Sequence, residues 1–581
     1  MSNLGNFIWS IADQLRGVYK PHQYGNVILP MTILRRLDCI MEPTRDEVRA
    51  LTAKHDNPGA LALQVKRATG LGFHNTSQFD FASLLADPDG LRANLVDYLT
   101  KFSANIDVFE RFKFENEIAT LDEKNRLYLV VEKFAEVDLH PDVVPNAAMG
   151  DLFEELIRKF AEASNEEAGE HYTPRDAIRL MVDLLFAEEQ EGLLEPGTVR
   201  SIYDPTAGTG GMLSVAEERL LERNSDARLT LYGQELNDQS YAICKSDMIA
   251  KGQDSSNIRL GDTLSDDLFA GRTFDFCMSN PPYGVDWKAA EKSVKEERAR
   301  DGEHGRFGPG LPSVSDGQML FLTHLAHKMR PEHEGGGRVG IVLNGSPLFN
   351  GAAGSGPSEI RRWLLETDLV EAIVALPTDM FFNTGISTYI WILDNTKRAE
   401  RRGKVQLIDA SGMGTKMRKS LGSKRKEIDT TSRERVLALY DAFDEADPDL
   451  SKVFDTTEFG YWTITVERPL LDDKGDPVTD RKGIRKPDSK KRDTENIPFN
   501  YGGNTTGDHG RDATIKAYFD AEVLPHVPDA WIDHKKTKVG YEIPFTRHFY
   551  TYVPPRPLAE IDADLEKQVA KILELLREVE G

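Results

Sequence analysis

The sequence predicts an α/β protein: a parallel sheet with helices on both faces, entered through a helical N-terminal region and left through a C-terminal region ending in one long helix. Three observations carry this. From about residue 197, short apolar strands alternate with helical stretches of roughly 10–15 residues, the pattern of a sheet built from crossovers. Before about residue 150 the apolar residues recur three or four apart, and Gly and Pro are sparse. From 558 onward Leu558, Ile561, Leu565, Val569, Ile572, Leu576 and Val579 form one apolar stripe. The expected regions are 1–148, helical; 149–430, catalytic α/β; and 431–581, with a helix at 558–580. A length of 581 residues fits such a division.

The elements follow in order. Segments 7–19, 27–41 and 127–139 carry helical spacing and no evident chemistry. VRSIYD (199–204) is a strand, 211–223 a helix, RLTLYGQE (228–235) a strand, and a helix runs through Tyr241 and Ile249. NIRLGD (257–262), FDFCMS (274–279), RVGIVL (338–343), LVEAIVAL (369–376), TYIWIL (388–393) and KVQLID (404–409) are further strands, with helices at 316–329 and 358–366. The Gly-, Lys- and Glu-rich stretch 284–317, largely without apolar residues apart from Val285, Trp287, Phe307 and Leu311, reads as a long loop. Segment 397–426 holds eleven bases and two acids, and segment 474–493 eight bases and four acids among Gly475, Pro477, Gly483 and Pro487, which suggest a loop. The terminal stripe suits either a core helix or a coiled-coil docking helix, and the acids Glu560, Asp562, Asp564 and Glu566 suit its N-terminal half.

Composition excludes several classes. Against 72 Lys and Arg stand 95 Asp and Glu, a net charge of −23. That opposes wholesale adhesion to nucleic acid or anionic membrane, though not a local basic groove. Cys39, Cys244 and Cys277 lie too far apart in sequence for a CxxC metal knuckle or a disulfide framework, and indicate a reducing, cytoplasmic setting. No apolar run reaches the length of a membrane span. The only Gly-Lys pair, Gly403-Lys404, is followed by Val405, so no Walker A loop is present and no motor is expected on this chain.

Three motifs carry chemistry. DPTAGTGG (Asp204 to Gly211) lies between a strand and a helix, where its glycines let backbone approach a ligand at the carboxyl edge of the sheet. Glu235 ends the next strand, where an acid can accept both hydroxyls of a ribose, and Asp262 ends the third. Asn280-Pro281-Pro282-Tyr283 closes the fourth. Its prolines hold the backbone extended and remove amide donors. The Asn280 side-chain carbonyl and the Pro281 main-chain carbonyl can then accept the two hydrogens of a planar amino group, and Tyr283 offers a face on which a base can stack.

Occupying consecutive strand ends in order, these motifs resemble the DPxxGxG and (N/D)PP(Y/F) signatures of amino-group methyltransferases that use S-adenosylmethionine. With EHYTPRDA (170–177), LPTDMFFNTGISTYIWIL (376–393) and GYEIPFTRHFY (540–550), the chain resembles the modification (M) subunit of type I restriction–modification systems along nearly its whole length. The resemblance implies a Rossmann-like S-adenosylmethionine-dependent methyltransferase core. It implies that Asp204, Thr206, Ala207, Gly208, Thr209, Gly210 and Gly211 wrap the methionine part of the cofactor, that Glu235 binds its ribose and that Asp262 meets its adenine. The segment Glu170, His171, Tyr172, Thr173, Pro174 and Arg175 would close over the methionine carboxylate. Asn280, Pro281, Pro282 and Tyr283 would be catalytic, and Phe381 or Phe382 would clamp the target base. The implied reaction is N6-methylation of an adenine flipped out of double-stranded DNA, with no metal. The implied partners are a specificity (S) subunit flanked by two M chains and docked by the terminal helix, and a restriction (R) subunit. A self-contained adenine methyltransferase and a protein-glutamine N-methyltransferase are the alternatives.

Overall fold

The computed structural model describes residues 11–146, 148–149, 152–153, 156, 173–187, 190–381, 385–421, 423–503, 510–550 and 557–580. The chain forms one unit up to Ile543 and a second from Pro544. The N-terminal region packs around the helix Gly25–Met41, which is apolar nearly all round and therefore central. Ile28, Leu34 and Leu37 meet Phe114 and Phe134 in one core that also takes in Ile249 and Ala250 of the helix Asp238–Ala250. Polar ties fix the same junction: Lys245 Nζ lies 2.6 Å from Asp107 Oδ1, and buried Arg36 donates to Asn146 Oδ1 (2.7 Å) and the Ala250 carbonyl (3.3 Å).

The central sheet takes β1 (Val199–Asp204), β2 (Arg228–Glu235), β3 (Ile258–Leu260), β4 (Phe276–Ser279), β5 (Arg338–Asn344), β6 (Val370–Ala375), β7 (Thr388–Asp394) and β8 (Lys404–Asp409). β9 (Thr415–Leu421) and β10 (Lys424–Glu427) form a separate hairpin, and β11 (Ser451–Asp455) returns to the sheet. The order in space is β11-β8-β6-β7-β5-β4-β1-β2-β3. The expectation of a parallel sheet needs correction at β7, which runs antiparallel to both β5 and β6, and at β11, antiparallel to β8. No helix is described between Ala375 and Thr388; with none to carry the chain back across the sheet, β7 runs in reverse. β6 and β7 are buried at every position, as strands covered on both faces must be. On one face Ile202, Leu231 and Met278 share a core with the helices Arg175–Ala187 and Gly211–Arg223. On the other, Tyr203 stacks on Phe274 at 4.7 Å beside His324.

Two further expectations change. Segment 284–317 is not simply a loop: it contains the helix Glu291–Asp301. Its few apolar residues do the anchoring, since Trp287 and Phe307 are buried. The basic segment 397–426 is partly internal: Lys397 pairs with Asp368 (2.6 Å), Arg401 lies 4.2 Å over the Tyr440 ring, and Lys424 pairs with Asp176 (2.9 Å). Buried cations need such partners, and composition alone cannot count them. Beyond the sheet, β12 (Gly460–Glu467) pairs with β13 (Asp493–Pro498), β14 (Trp531–Ile532) and β15 (Lys538–Tyr541). Between β12 and β13 the second basic segment pairs with itself, Lys486 N to Val478 O and Asp480 N to Ile484 O, both 2.8 Å, turning at Gly475 and Gly483 with positive φ. In the second unit the helix Leu558–Glu580 leaves Leu565, Val569 and Ile572 more than half exposed, so these three are not core within that unit.

Candidate active site

The carboxyl ends of β1 to β4 open onto a cavity of about 620 Å³, lined among others by Thr173, Thr206, Gly208, Glu235, Asp262 and Asn280. Such a volume suits a ligand of cofactor size. β1 delivers Asp204, fully buried, whose Oδ1 accepts from Thr206 N (2.9 Å) and Thr206 Oγ (3.2 Å). Its Oδ2 is buried and has no hydrogen-bond partner among the described residues. Burial, assisted by the Glu235 charge and opposed by the Thr206 donors, pushes this carboxyl up to about 7. The loop then turns through Gly208 (φ 54°) and Gly210 (φ 80°) into the helix that starts at Gly211, with Ala207 N bonded to Gln234 O (3.0 Å) and Thr209 lining the cavity.

Gly210 has a second constraint. A Cβ there would lie 2.6 Å from Cys244 Sγ. Gly210→Ala is therefore expected to destabilise the fold by about 1–3 kcal/mol in chemical denaturation. Adding Cys244→Ala should recover the steric share and leave the φ share, whereas no recovery would show the close approach to be irrelevant.

Glu235 is buried and ties the loop down: its Oε2 accepts from Gly208 N (2.7 Å) and its Oε1 from Asn237 N (2.8 Å). Each oxygen keeps a lone pair for a ligand hydroxyl. The next residue, Leu236, is 69% exposed at the cavity wall, an apolar surface that no sequence motif marks. Asp262 also lines the cavity, but its carboxylate is committed locally to Leu264 N (3.0 Å) and Ser265 Oγ (2.8 Å).

At the end of β4, Asn280 Nδ2 donates to Thr173 Oγ (2.9 Å), which orients the amide, and Asn280 Oδ1 accepts from the Tyr283 hydroxyl. Among the described residues no backbone donor reaches the Pro281 carbonyl. Pro282 is exposed and lines the cavity. Phe381 is buried with its ring 6.4 Å from that of Tyr283 at 83°, an edge-on contact rather than a facing pair. Thr173, Pro174 and Arg175 lead into the helix Arg175–Ala187, and Arg175 lies 3.6 Å from Glu218. Glu170, His171, Tyr172 and Phe382 lie outside the described residues.

A brace from segment 284–317 completes the site. Arg306 is buried, pairs with Glu297 (2.6 Å) and donates to the carbonyls of Thr263 and Leu264 (3.0 Å), so it holds the loop that follows Asp262. Thr263 Oγ in turn donates to Pro205 O (2.7 Å), and Thr206 Oγ meets Ser279 Oγ (2.7 Å). Sequence spacing gives no signal for these ties, because their partners lie tens of residues apart. Among the described residues no group of His, Cys, Asp and Glu could hold a metal ion, and no helix is long and apolar enough to cross a membrane.

The comparisons with known proteins agree with this geometry. The N-6 DNA Methylase family pattern matches residues 145–460, over half the chain, and that of the HsdM N-terminal domain matches 4–134. The type I restriction enzyme MjaIX methylase subunit of Methanocaldococcus jannaschii is 27% identical over 431 residues, 70% of this chain and 72% of that protein. The MjaVII methylase subunit of the same organism is 30% identical over 323 residues, 55% of this chain and 51% of that protein. The fold is shared with the type I restriction-modification methyltransferase subunit of Streptococcus thermophilus, with a TM-score of 0.60 at 24% identity over 79% of this chain and 96% of that one. The chain belongs to the N-6 DNA methylase family and, with the HsdM N-terminal domain before its catalytic region, to the methylase subunits of type I restriction–modification systems.

Proposed function

We propose that the chain methylates the N6 amino group of an adenine flipped out of double-stranded DNA, using S-adenosylmethionine, as the modification subunit of a type I complex. The observation that carries this is the pair of acceptors at the cavity edge, Asn280 Oδ1 and Pro281 O, set beside the ring of Tyr283. Asn280 Nδ2 donates to Thr173 Oγ and Asn280 Oδ1 accepts from the Tyr283 hydroxyl, so the amide is held at both ends.

The cavity's chemistry fits the cofactor. On the cavity wall the spare lone pairs of Glu235 match a ribose diol and Leu236 with Asp262 offers a surface for adenine, while Asp204, buried behind the lining residues Pro205 and Thr206, has an Oδ2 without a partner among the described residues that suits an ammonium group. When bound, S-adenosylmethionine supplies an electrophilic methyl on sulfur. The chain's residues do the rest. Tyr283 releases Asn280 Oδ1 and stacks on the flipped base, with Phe381 fixing the angle of its ring. Asn280 and Pro281 accept the two amino hydrogens, which draws the nitrogen lone pair out of the ring and aims it at the methyl. Positioning and electrostatics supply the rate, so no side-chain base is needed. The amino proton leaves to water.

Two copies of the chain would flank a specificity subunit, with a restriction subunit joining for cleavage. The exposed stripe of the terminal helix is the surface for the specificity subunit's helices. Val569→Glu with Ile572→Glu is expected to weaken that assembly by at least about tenfold, measured by ultracentrifugation, and to leave cofactor binding intact. Unchanged assembly would remove the docking role.

The main test is methyl transfer by the full chain, with its specificity partner, to double-stranded DNA, followed by digestion to nucleosides. N6-methyladenine is expected. Methylated glutamine in protein without methylated DNA would overturn the reading, and methylation of DNA by the chain alone would make it self-contained.

A further inference from the structure

Resting on the adenine-methylation reading, we propose that the β9–β10 hairpin grips the DNA backbone beside the flipped nucleotide. The hairpin is fastened to the active-site wall along β10, starting at the residue that follows its turn. Arg425 N and Lys426 N both donate to the Asp379 carbonyl, at 2.8 and 3.1 Å. Two residues beyond Asp379, Phe381 meets Tyr283. Buried Lys424 completes the attachment: its Nζ reaches both oxygens of Asp176 (3.0 and 2.9 Å), the Met380 carbonyl (3.1 Å) and the Lys426 carbonyl (2.9 Å). Asp176 also accepts from Ile428 N (2.9 Å) and stands three residues after Thr173, the residue that orients Asn280. One lysine thus joins the hairpin, the aromatic wall and the amide-orienting segment.

What the hairpin presents outward is cationic. Lys416, Arg418 and Arg425 are exposed, and none of them forms an ion pair among the described residues. Lys416 stands directly across from Lys426. Like charges directly opposite on a two-stranded ribbon are destabilising, so the arrangement favours a polyanion that relieves it. Lys416 and Arg418 stand two residues apart on β9, where its pairing with β10 shifts register and bends the ribbon. Phosphate contacts from such cations position the duplex without reading bases. They also suit a chain of net charge −23, where attraction to DNA must be local.

The test uses the full chain assembled with its specificity partner, a double-stranded oligonucleotide carrying the recognition site, and the triple variant Lys416→Gln, Arg418→Gln, Arg425→Gln. Lys424 stays in place so the hairpin keeps its attachment. The expected result is a fall of about 2–3 in the slope of log affinity against log salt, roughly 0.9 for each phosphate no longer neutralised. Cofactor affinity stays unchanged. The charge-preserving variant Lys416→Arg, Arg418→Lys, Arg425→Lys keeps the wild-type slope. An unchanged slope in the Gln variant, while the wild type still forms N6-methyladenine, overturns this inference and leaves the methylation reading standing. So does loss of assembly at constant DNA slope, which would make the hairpin a protein contact. A wild type that forms no N6-methyladenine removes both.

Discussion

Asn280→Ala lowers methyl transfer by roughly 10²–10³-fold or more, the cost of removing one preorganised polar group from a reacting centre. Cofactor affinity stays within about twofold, because Asn280 acts on the amino group and not on the sulfonium. The structure explains why the loss is large. Asn280 supplies the one side-chain carbonyl in its motif, and the bond from its Nδ2 to Thr173 Oγ fixes the orientation of the amide. Alanine leaves the Pro281 carbonyl alone to hold a group with two hydrogens. It also frees the Tyr283 hydroxyl, whose partner in the ligand-free site is Asn280. The measurement is the rate of methyl incorporation into DNA, paired with calorimetric cofactor binding. An Asn280→Ala protein that methylates adenine at the wild-type rate would end the proposed mechanism.

Asp204→Asn has the second large effect, on cofactor binding. Losing one charge-assisted hydrogen bond to an ammonium group costs about 1.5–3 kcal/mol, or roughly 10–100-fold in affinity. The pH dependence makes the prediction specific. Burial pushes the Asp204 carboxyl up to about 7 from an ordinary 3.8. Below about 7 the free site is protonated, so wild-type affinity falls as pH drops through that value, while the Asn variant stays flat. Stability of the ligand-free protein runs the other way. The folded chain keeps a proton that the unfolded chain releases near 3.8, so this contribution is complete below 3.8 and lost as pH rises through about 7. At pH near 8 the Asn variant, carrying no buried charge, therefore melts above the wild type without cofactor, by a margin on the order of a few kcal/mol at most. The two proteins converge toward pH near 5. Equal cofactor affinity of the wild type on both sides of neutrality would contradict this account.

How much of this is legible in the sequence depends on how locally each feature is encoded. The glycine loop, Glu235, Asp262 and the Asn280–Tyr283 segment are contiguous stretches at strand ends, and the alternation of strands and helices places those ends on one edge. The ties that make them a site are not local. Thr173 reaches Asn280 and Arg306 reaches Thr263 across long sequence separations, and no periodicity announces either. The reversal of β7 is illegible for a related reason, since an apolar strand reads the same in both directions. In segment 397–426 the charges are plain but their burial is not. Lys397, Arg401 and Lys424 serve the interior while Lys416 and Arg418 face solvent, a difference that only tertiary packing decides.

The placement of β7 also governs the order in which the molecule can be built. β7 sits between β5 and β6, yet both are synthesised before it. The strands that lead to the glycine loop, both acids and Asn280 are complete by Ser279, so that half of the sheet can form before β5 to β8 are made. β5 and β6 then emerge with an open slot between them, each presenting an unpaired edge until Asp394 has left the ribosome. A nascent chain in that interval already holds its candidate site motifs while two strand edges stay open to other chains. The strand inserted between two already made, which carries none of the candidate site residues, is the one that makes the early half safe to fold.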